Sequence, residues 1–285
     1  MLRVGVVVSA VMLPACFSTP GLSRSDGGAG SDHSGSDGSG SDGTTDAPIL
    51  PTCTPGEEVD VSTLPNLLFF YRLDEASGTT AEDASVNNFD ATLNVTRTTG
   101  HRNMGVTFGG GTDVIDAGAR SEFRDLGAIT VCAWVRPTIV PDGAANIVDK
   151  SGQNGLQGGW NFYIQPHPSM PDGFIRVGFF TRSHDEKLGA TKIAVGDWVH
   201  LCATWNGGGN TAGLTLYING FAESQFIRDS DSSDSEDSDM AANVLIGRGN
   251  GPGSTYPYVG GLDEVALFDR VLTATEILAV FNCGF

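Results

Sequence analysis

From residue 49 to the C-terminus, apolar side chains come in short β-branched and aromatic runs broken by Gly, Asn, Asp and Pro. That is the punctuation of strands and turns. The runs at 67–73, 129–136, 146–150, 160–165, 174–180, 198–204, 214–219, 244–248 and 262–268 predict strands. In the second of them Ile129, Val131, Ala133 and Val135 alternate with Thr130, Cys132, Trp134 and Arg136, so one face turns to a core. One helix is predicted, because Thr273-Ala274-Thr275-Glu276 reads as a capping box ahead of Ile277, Leu278, Val280 and Phe281. It is expected to close one end of the molecule. The pattern predicts an all-β antiparallel sandwich of two sheets with one short C-terminal helix, spanning 49–285 as a single domain.

The first 48 residues have a different texture. Arg3 is followed by an apolar run from Val4 to Leu13 and by Pro14-Ala15-Cys16, a secretory signal too short to span a bilayer comfortably. Leu13-Pro14-Ala15-Cys16 resembles the bacterial lipoprotein signal, although Pro14 departs from it. The resemblance implies cleavage after residue 15, a lipid on Cys16, export by the general pathway and attachment to a membrane of the cell envelope; an ordinary signal peptide is the alternative. Residues 16–48 are Ser, Gly, Asp and Thr with Ser-Asp-Gly recurring, so nothing in them offsets the entropy of ordering. They read as a flexible stalk, with a reach of roughly 30 Å for about thirty residues.

Charge narrows the partners. The formal net charge of −18 argues against nucleic acid, since phosphate binding needs clustered Lys and Arg. It also disfavours adsorption to anionic lipid, leaving the lipid anchor as the membrane contact. Part of the acid lies in a tract at 229–239, read as a long solvated surface loop that lacks the turn Gly and Glu spacing of an EF-hand. With Cys16 set aside, Cys53, Cys132, Cys202 and Cys283 remain, an even number in a chain routed to an oxidising compartment, so two disulfides are expected. Zinc is the competing use, and the chain has no C-x-x-C.

Several motifs in order carry a family resemblance: Tyr71-Arg72-Leu73-Asp74-Glu75-Ala76-Ser77-Gly78, Ile129-Thr130-Val131-Cys132-Ala133-Trp134-Val135, Trp198-Val199-His200, Leu216-Tyr217-Ile218-Asn219-Gly220 and Gly261-Leu262-Asp263-Glu264-Val265 with the capped helix after it. Together they resemble the laminin-G-like jelly-roll domains of the concanavalin-A-like superfamily, over nearly all of 67–281. His200-Leu201-Cys202-Ala203-Thr204-Trp205 further resembles the pentraxins. That resemblance implies a Cys132–Cys202 disulfide, which leaves Cys53 with Cys283.

The superfamily also houses glucanases, but their Glu-x-Asp-x-x-Glu strand is missing, and Asp263 and Glu264, being adjacent, are expected on opposite strand faces. No Gly-x-Ser-x-Gly or His-Glu-x-x-His occurs, and the histidines are scattered, with His200 read as a packed strand residue. A non-catalytic binding module is therefore expected, recognising a glycan or an extracellular protein; a hydrolase of the same fold and a structural lipoprotein without ligand are the alternatives. The resemblance implies a structural Ca²⁺ held by Asp74 and Asp263, with carbonyls of Gly109 and Gly110 completing its shell; the alternative is that both carboxylates accept backbone hydrogen bonds in turns. For the ligand, Asn161, Tyr163 and Gln165, with Arg176 nearby, give a polar sheet face carrying an aromatic platform. The four tryptophans are assigned to packing.

Overall fold

The computed structural model describes residues 59–152, 159–169, 172–232, 238–239, 242–250 and 256–284. The chain divides into Met1–Ala47 and Pro48–Phe285, and every described residue lies in the second unit. The signal, Cys16, the stalk and Cys53 lie outside the described residues, as does the side chain of Cys283.

After a 3₁₀ turn at Val61–Thr63 come β1 (Leu67–Tyr71), β2 (Thr80–Ala81), β3 (Ala91–Asn94), β4 (Thr96–Thr99), β5 (Met104–Gly109) and β6 (Val114–Gly118). The middle of the chain supplies β7 (Ile129–Pro137), β8 (Ala145–Asp149), β9 (Asn161–Gln165), β10 (Arg176–Phe180), β11 (Glu186–Gly189) and β12 (Val199–Trp205). Then follow β13 (Leu214–Ile218), β14 (Phe221–Ala222), β15 (Phe226–Ser230), β16 (Val244–Ile246), β17 (Val259–Phe268) and α1 (Ala274–Cys283). The first sheet runs β14-β13-β12-β7-β17-β5-β4, with β1 also paired to β17; the second runs β15-β11-β10-β9-β8-β16-β6-β3-β2. Neighbours such as β7 and β17, distant in sequence and antiparallel, give the two-sheet jelly-roll sandwich.

Alternation decides what each face meets. Ile129, Val131, Ala133 and Val135 of β7 join Phe162, Ile164, Val177 and Phe179 from the second sheet in the core between the sheets. The other side of the first sheet is apolar too: Phe70, Cys132, Trp134, Cys202 and Tyr217 pack there under Ile277 and Val280 of α1. Thr273 and Glu276 form the expected capping box. The helix lies on the outer face of the first sheet, however, and not at an end of the sandwich, because its apolar stripe covers and buries that apolar row. Beneath it Cys132 and Cys202 stand opposite each other in register and are joined by a disulfide, with His200 fully buried against Cys202 Sγ at 3.7 Å.

Each strand predicted from the pattern is present, with ends moved by a few residues. The first stops at Tyr71, since Leu73 takes φ 61°. The acidic tract at 229–239 is not wholly a loop. Asp229 and Ser230 belong to β15, paired with β11, and Asp239 is buried, its carboxylate 3.3 Å from the equally buried Lys150 Nζ. Around Asp263 the simple alternation lapses: a register shift falls between Asp263 and Ala266, Glu264 takes φ 52°, and both carboxylates are buried. Among the described residues no helix is long and apolar enough to cross a membrane.

Candidate functional site

With the first sheet roofed by α1, the outer face of the second sheet is the one that presents polar side chains. Along β9, Phe162 and Ile164 enter the core, so Asn161, Tyr163 and Gln165 point outward. Register places Phe180, Gly178 and Arg176 of β10 opposite these three in turn, and Glu186 of β11 opposite Phe180. Opposed residues share a face. A Cβ at Gly178 would lie 2.3 Å from the Tyr163 ring, so it is the missing side chain that lets the ring lie across β10. The Tyr163 hydroxyl donates to Glu186 Oε1, and Arg228 Nη1 on β15 donates to both Glu186 oxygens at 2.7 and 2.6 Å. These residues, with Ala144 and Tyr256, line a cleft of about 310 Å³, at the small end of ligand sites.

Burial, and then the neighbouring Glu186 charge, push the Tyr163 hydroxyl well above the ordinary phenol range, so it remains a proton donor to Glu186. The hydrogen bond to Glu186 raises Arg228 further. The cleft wall therefore carries one anion and one cation that neutralise each other. Asn161 Oδ1 and Gln165 Nε2 are buried without a hydrogen-bond partner, and such groups in a native fold call for an explanation. The Tyr256 wall is fixed to β8 by the Asn146 N–H donating to its carbonyl at 2.8 Å.

The structure brings Asn161, Tyr163 and Gln165 together in the cleft but not Arg176. That guanidinium is almost fully buried and paired with Asp172 at 2.6 Å, which withdraws it from the ligand set. Asp74 and Asp263 do converge, on the turn at 101–104. Asp263 Oδ2 accepts from the His101 and Arg102 N–H groups at 2.7 and 3.0 Å, while Asp74 accepts from Met104 N at 3.0 Å and Asn103 Nδ2 at 3.3 Å. Three of the four carboxylate oxygens thus face N–H donors, while the fourth, Asp263 Oδ1, is buried without a hydrogen-bond partner, as is Glu264 Oε2. Gly109 and Gly110 stand at the other end of β5, since Gly109 pairs with Val259 while Val106 pairs with Leu262. They are corrected out of that shell. Among the described residues the one cluster of three metal-ligating side chains is Cys132, His200 and Cys202, whose sulfurs are bonded to each other.

Sequence reasoning did not find Phe180, Glu186, Arg228 or Tyr256. β11 is only Glu-Lys-Leu-Gly, too short for a period, and β15 runs into the acidic tract. Gly178 inside an apolar run was the available signal, because glycine within a strand marks a close approach.

A family model described as the concanavalin A-like lectin/glucanases superfamily matches residues 109–278. No curated protein matches the sequence. Among solved structures, the chain is similar to the binding domain of Paraclostridial Mosquitocidal Protein 1, with 17% identity, TM-score 0.52, and 76% of this chain and 52% of that chain covered. It is also similar to domain 4 of AbnA, an extracellular arabinanase of Geobacillus stearothermophilus, in complex with arabinotriose: 16% identity, TM-score 0.50, 78% and 98% covered. A pentraxin of Limulus polyphemus matches at 18% identity, TM-score 0.40, with 55% and 70% covered. The chain spans about half the length of the mosquitocidal binding domain.

Proposed function

We propose, for a chain that belongs to the Laminin_G_3 family of the concanavalin A-like lectin/glucanases superfamily, that the cleft on the second sheet binds a glycan and does not transform it. The observation that carries this reading is the cleft itself, where the exposed Tyr256 ring shares the wall with the polar side chains of Asn161, Gln165, Glu186 and Arg228, and Tyr163 lies buried beneath. A sugar ring offers an apolar C–H face for an exposed aromatic ring such as Tyr256 and hydroxyls that both donate and accept, which suits a wall of mixed polar side chains. Hydrolysis by paired carboxylates needs two of them, about 5–9.5 Å apart across the scissile bond. Among the described residues Glu186 is the one carboxylate lining the cleft, and it is engaged by Tyr163 and Arg228. Asp149, opposite Asn161 in register, is buried and holds Ser151, Asn250 and Asn146.

The test is a glycan array probed with the full-length chain, including arabino-oligosaccharides because a similar domain holds arabinotriose. Binding that Tyr256→Ala reduces at least tenfold supports the reading. Capture of an extracellular protein with no saccharide bound sinks it. We propose further that the domain is displayed on the cell envelope by a lipid on Cys16, with the stalk giving reach. In a lipoprotein-competent bacterium the wild type is expected in the detergent phase and Cys16→Ser in the aqueous phase; equal partitioning refutes the anchor.

A further inference from the structure

Arg228 stands on β15, an edge strand of the second sheet, and the way it is held narrows the class of glycan the cleft takes, a step that rests on the glycan reading. Register pairs Arg228 with Leu188, and Leu188 with Gly178, so the arginine shares the outer face with the Tyr163 ring. There Glu186 fixes it: Arg228 Nη1 donates to both carboxylate oxygens at 2.7 and 2.6 Å, and the buried Tyr163 hydroxyl donates to Glu186 from below. The rest of the guanidinium is unclaimed. Its side edge, Nε with Nη2, makes no hydrogen bond or ion pair among the described residues, while the side chain is 40% exposed and lines the cleft.

A guanidinium is a rigid plane of N–H donors, and the two parallel donors on one edge match the two oxygens of a carboxylate. A surface arginine ordinarily loses rotamer freedom when it grips a ligand. Here Glu186 and Tyr163 have already set the plane, so that cost is met before binding. The Glu186–Arg228 pair is neutral as a unit, and selection therefore comes from the geometry of the free edge. Other acids do not crowd it: Asp229 pairs with Lys187 on the opposite strand face, and Asp231 accepts from Thr211 N at 2.6 Å. Repulsion from the −18 chain is screened over about 8 Å at physiological salt. On the same cleft wall Tyr256, 41% exposed, offers a ring for the C–H face of a sugar. We infer that the Nε–Nη2 edge of Arg228 is a subsite for a carboxylate, and that the ligand is an acidic saccharide of the uronate kind.

The experiment is calorimetry on the full-length chain with matched probes: oligogalacturonates and oligoglucuronates against their methyl esters, which keep the sugar and remove the charge. The acids are expected to bind at least about tenfold more tightly than the esters. Arg228→Lys keeps a positive charge but loses the planar fork, so it should lose most of that acid-to-ester ratio, and Arg228→Gln should erase it. Thermal melting of both variants checks that they fold; the ester comparison on the wild type decides the matter even where they do not. Esters binding as tightly as the acids, or a folded Arg228→Lys that keeps the full ratio, overturns this inference and leaves the glycan reading standing. No saccharide binding at all overturns the glycan reading and this inference with it.

Discussion

Gly178 sits inside a strand, where glycine ordinarily weakens the ladder, and the Tyr163 ring across the strand is the physical reason for it. Gly178→Ala forces that ring off the sheet. We expect a loss of about 1–3 kcal/mol in stability, the range for overpacking, together with at least a tenfold loss of glycan binding. Thermal melting and the array readout check the two arms; a variant that binds normally would show that the position of the buried ring does not shape the cleft. The alternation of Asn161, Tyr163 and Gln165 was legible in the sequence because a strand with one buried face repeats every second residue. Arg176 was misread for the same reason: register places it on that face, but period alone cannot show that Asp172 holds its guanidinium. Glu186 and Arg228 come from strands far apart in sequence, and only sheet topology brings them to Tyr163.

At the level of elements, the first sheet is tied together beneath α1. Cys132 and Cys202 are 70 residues apart in sequence and opposite each other on β7 and β12. Closing a loop of that length is worth about 4 kcal/mol in the chain-entropy model. Replacing both cysteines with alanine should lower the denaturant midpoint accordingly, and the thermal midpoint by roughly 8–16 °C for a domain of this size. Reduced and oxidised wild type should differ in the same direction; no difference between them would mean that the link does not constrain the unfolded chain. Helix and long strands were readable because capping residues and alternation are local. The short strands β2 to β6, rich in Thr, Asn and Gly, and the irregular register at Asp263 and Glu264 depend on partners distant in the chain, so the sequence carried no local trace of them.

Across the whole molecule, the acid balance sets where the fold is most stable. Burial raises Asp263 to about 7 and Glu264 to about 8, each reinforced by neighbouring carboxylates. Asp263 Oδ1 and Glu264 Oε2 are buried without partners, so the protonated forms suit their surroundings. In the unfolded chain both groups titrate near 4. Their contribution is complete below that value and falls as pH rises from about 4 to about 8, where the unfolded state releases protons that the folded state keeps. Asp172, held low by its hydrogen bond from Arg176, and Asp231, held low by the Thr211 backbone, act oppositely: their contribution is present above about 4 and is lost below it. The self-repulsion of a −18 chain also grows toward neutral pH. His200, fully buried and held down to about 3, opposes this below about pH 6.5, where the unfolded chain takes up a proton that the folded state refuses; the two raised carboxylates outweigh it, so the thermal midpoint should be higher at about pH 5 than at about pH 8. Asp263→Asn keeps an acceptor for the His101 and Arg102 amides at every pH and should shrink that difference. A wild-type midpoint that climbs between about pH 5 and about pH 8 would show that these buried carboxylates do not govern the pH dependence.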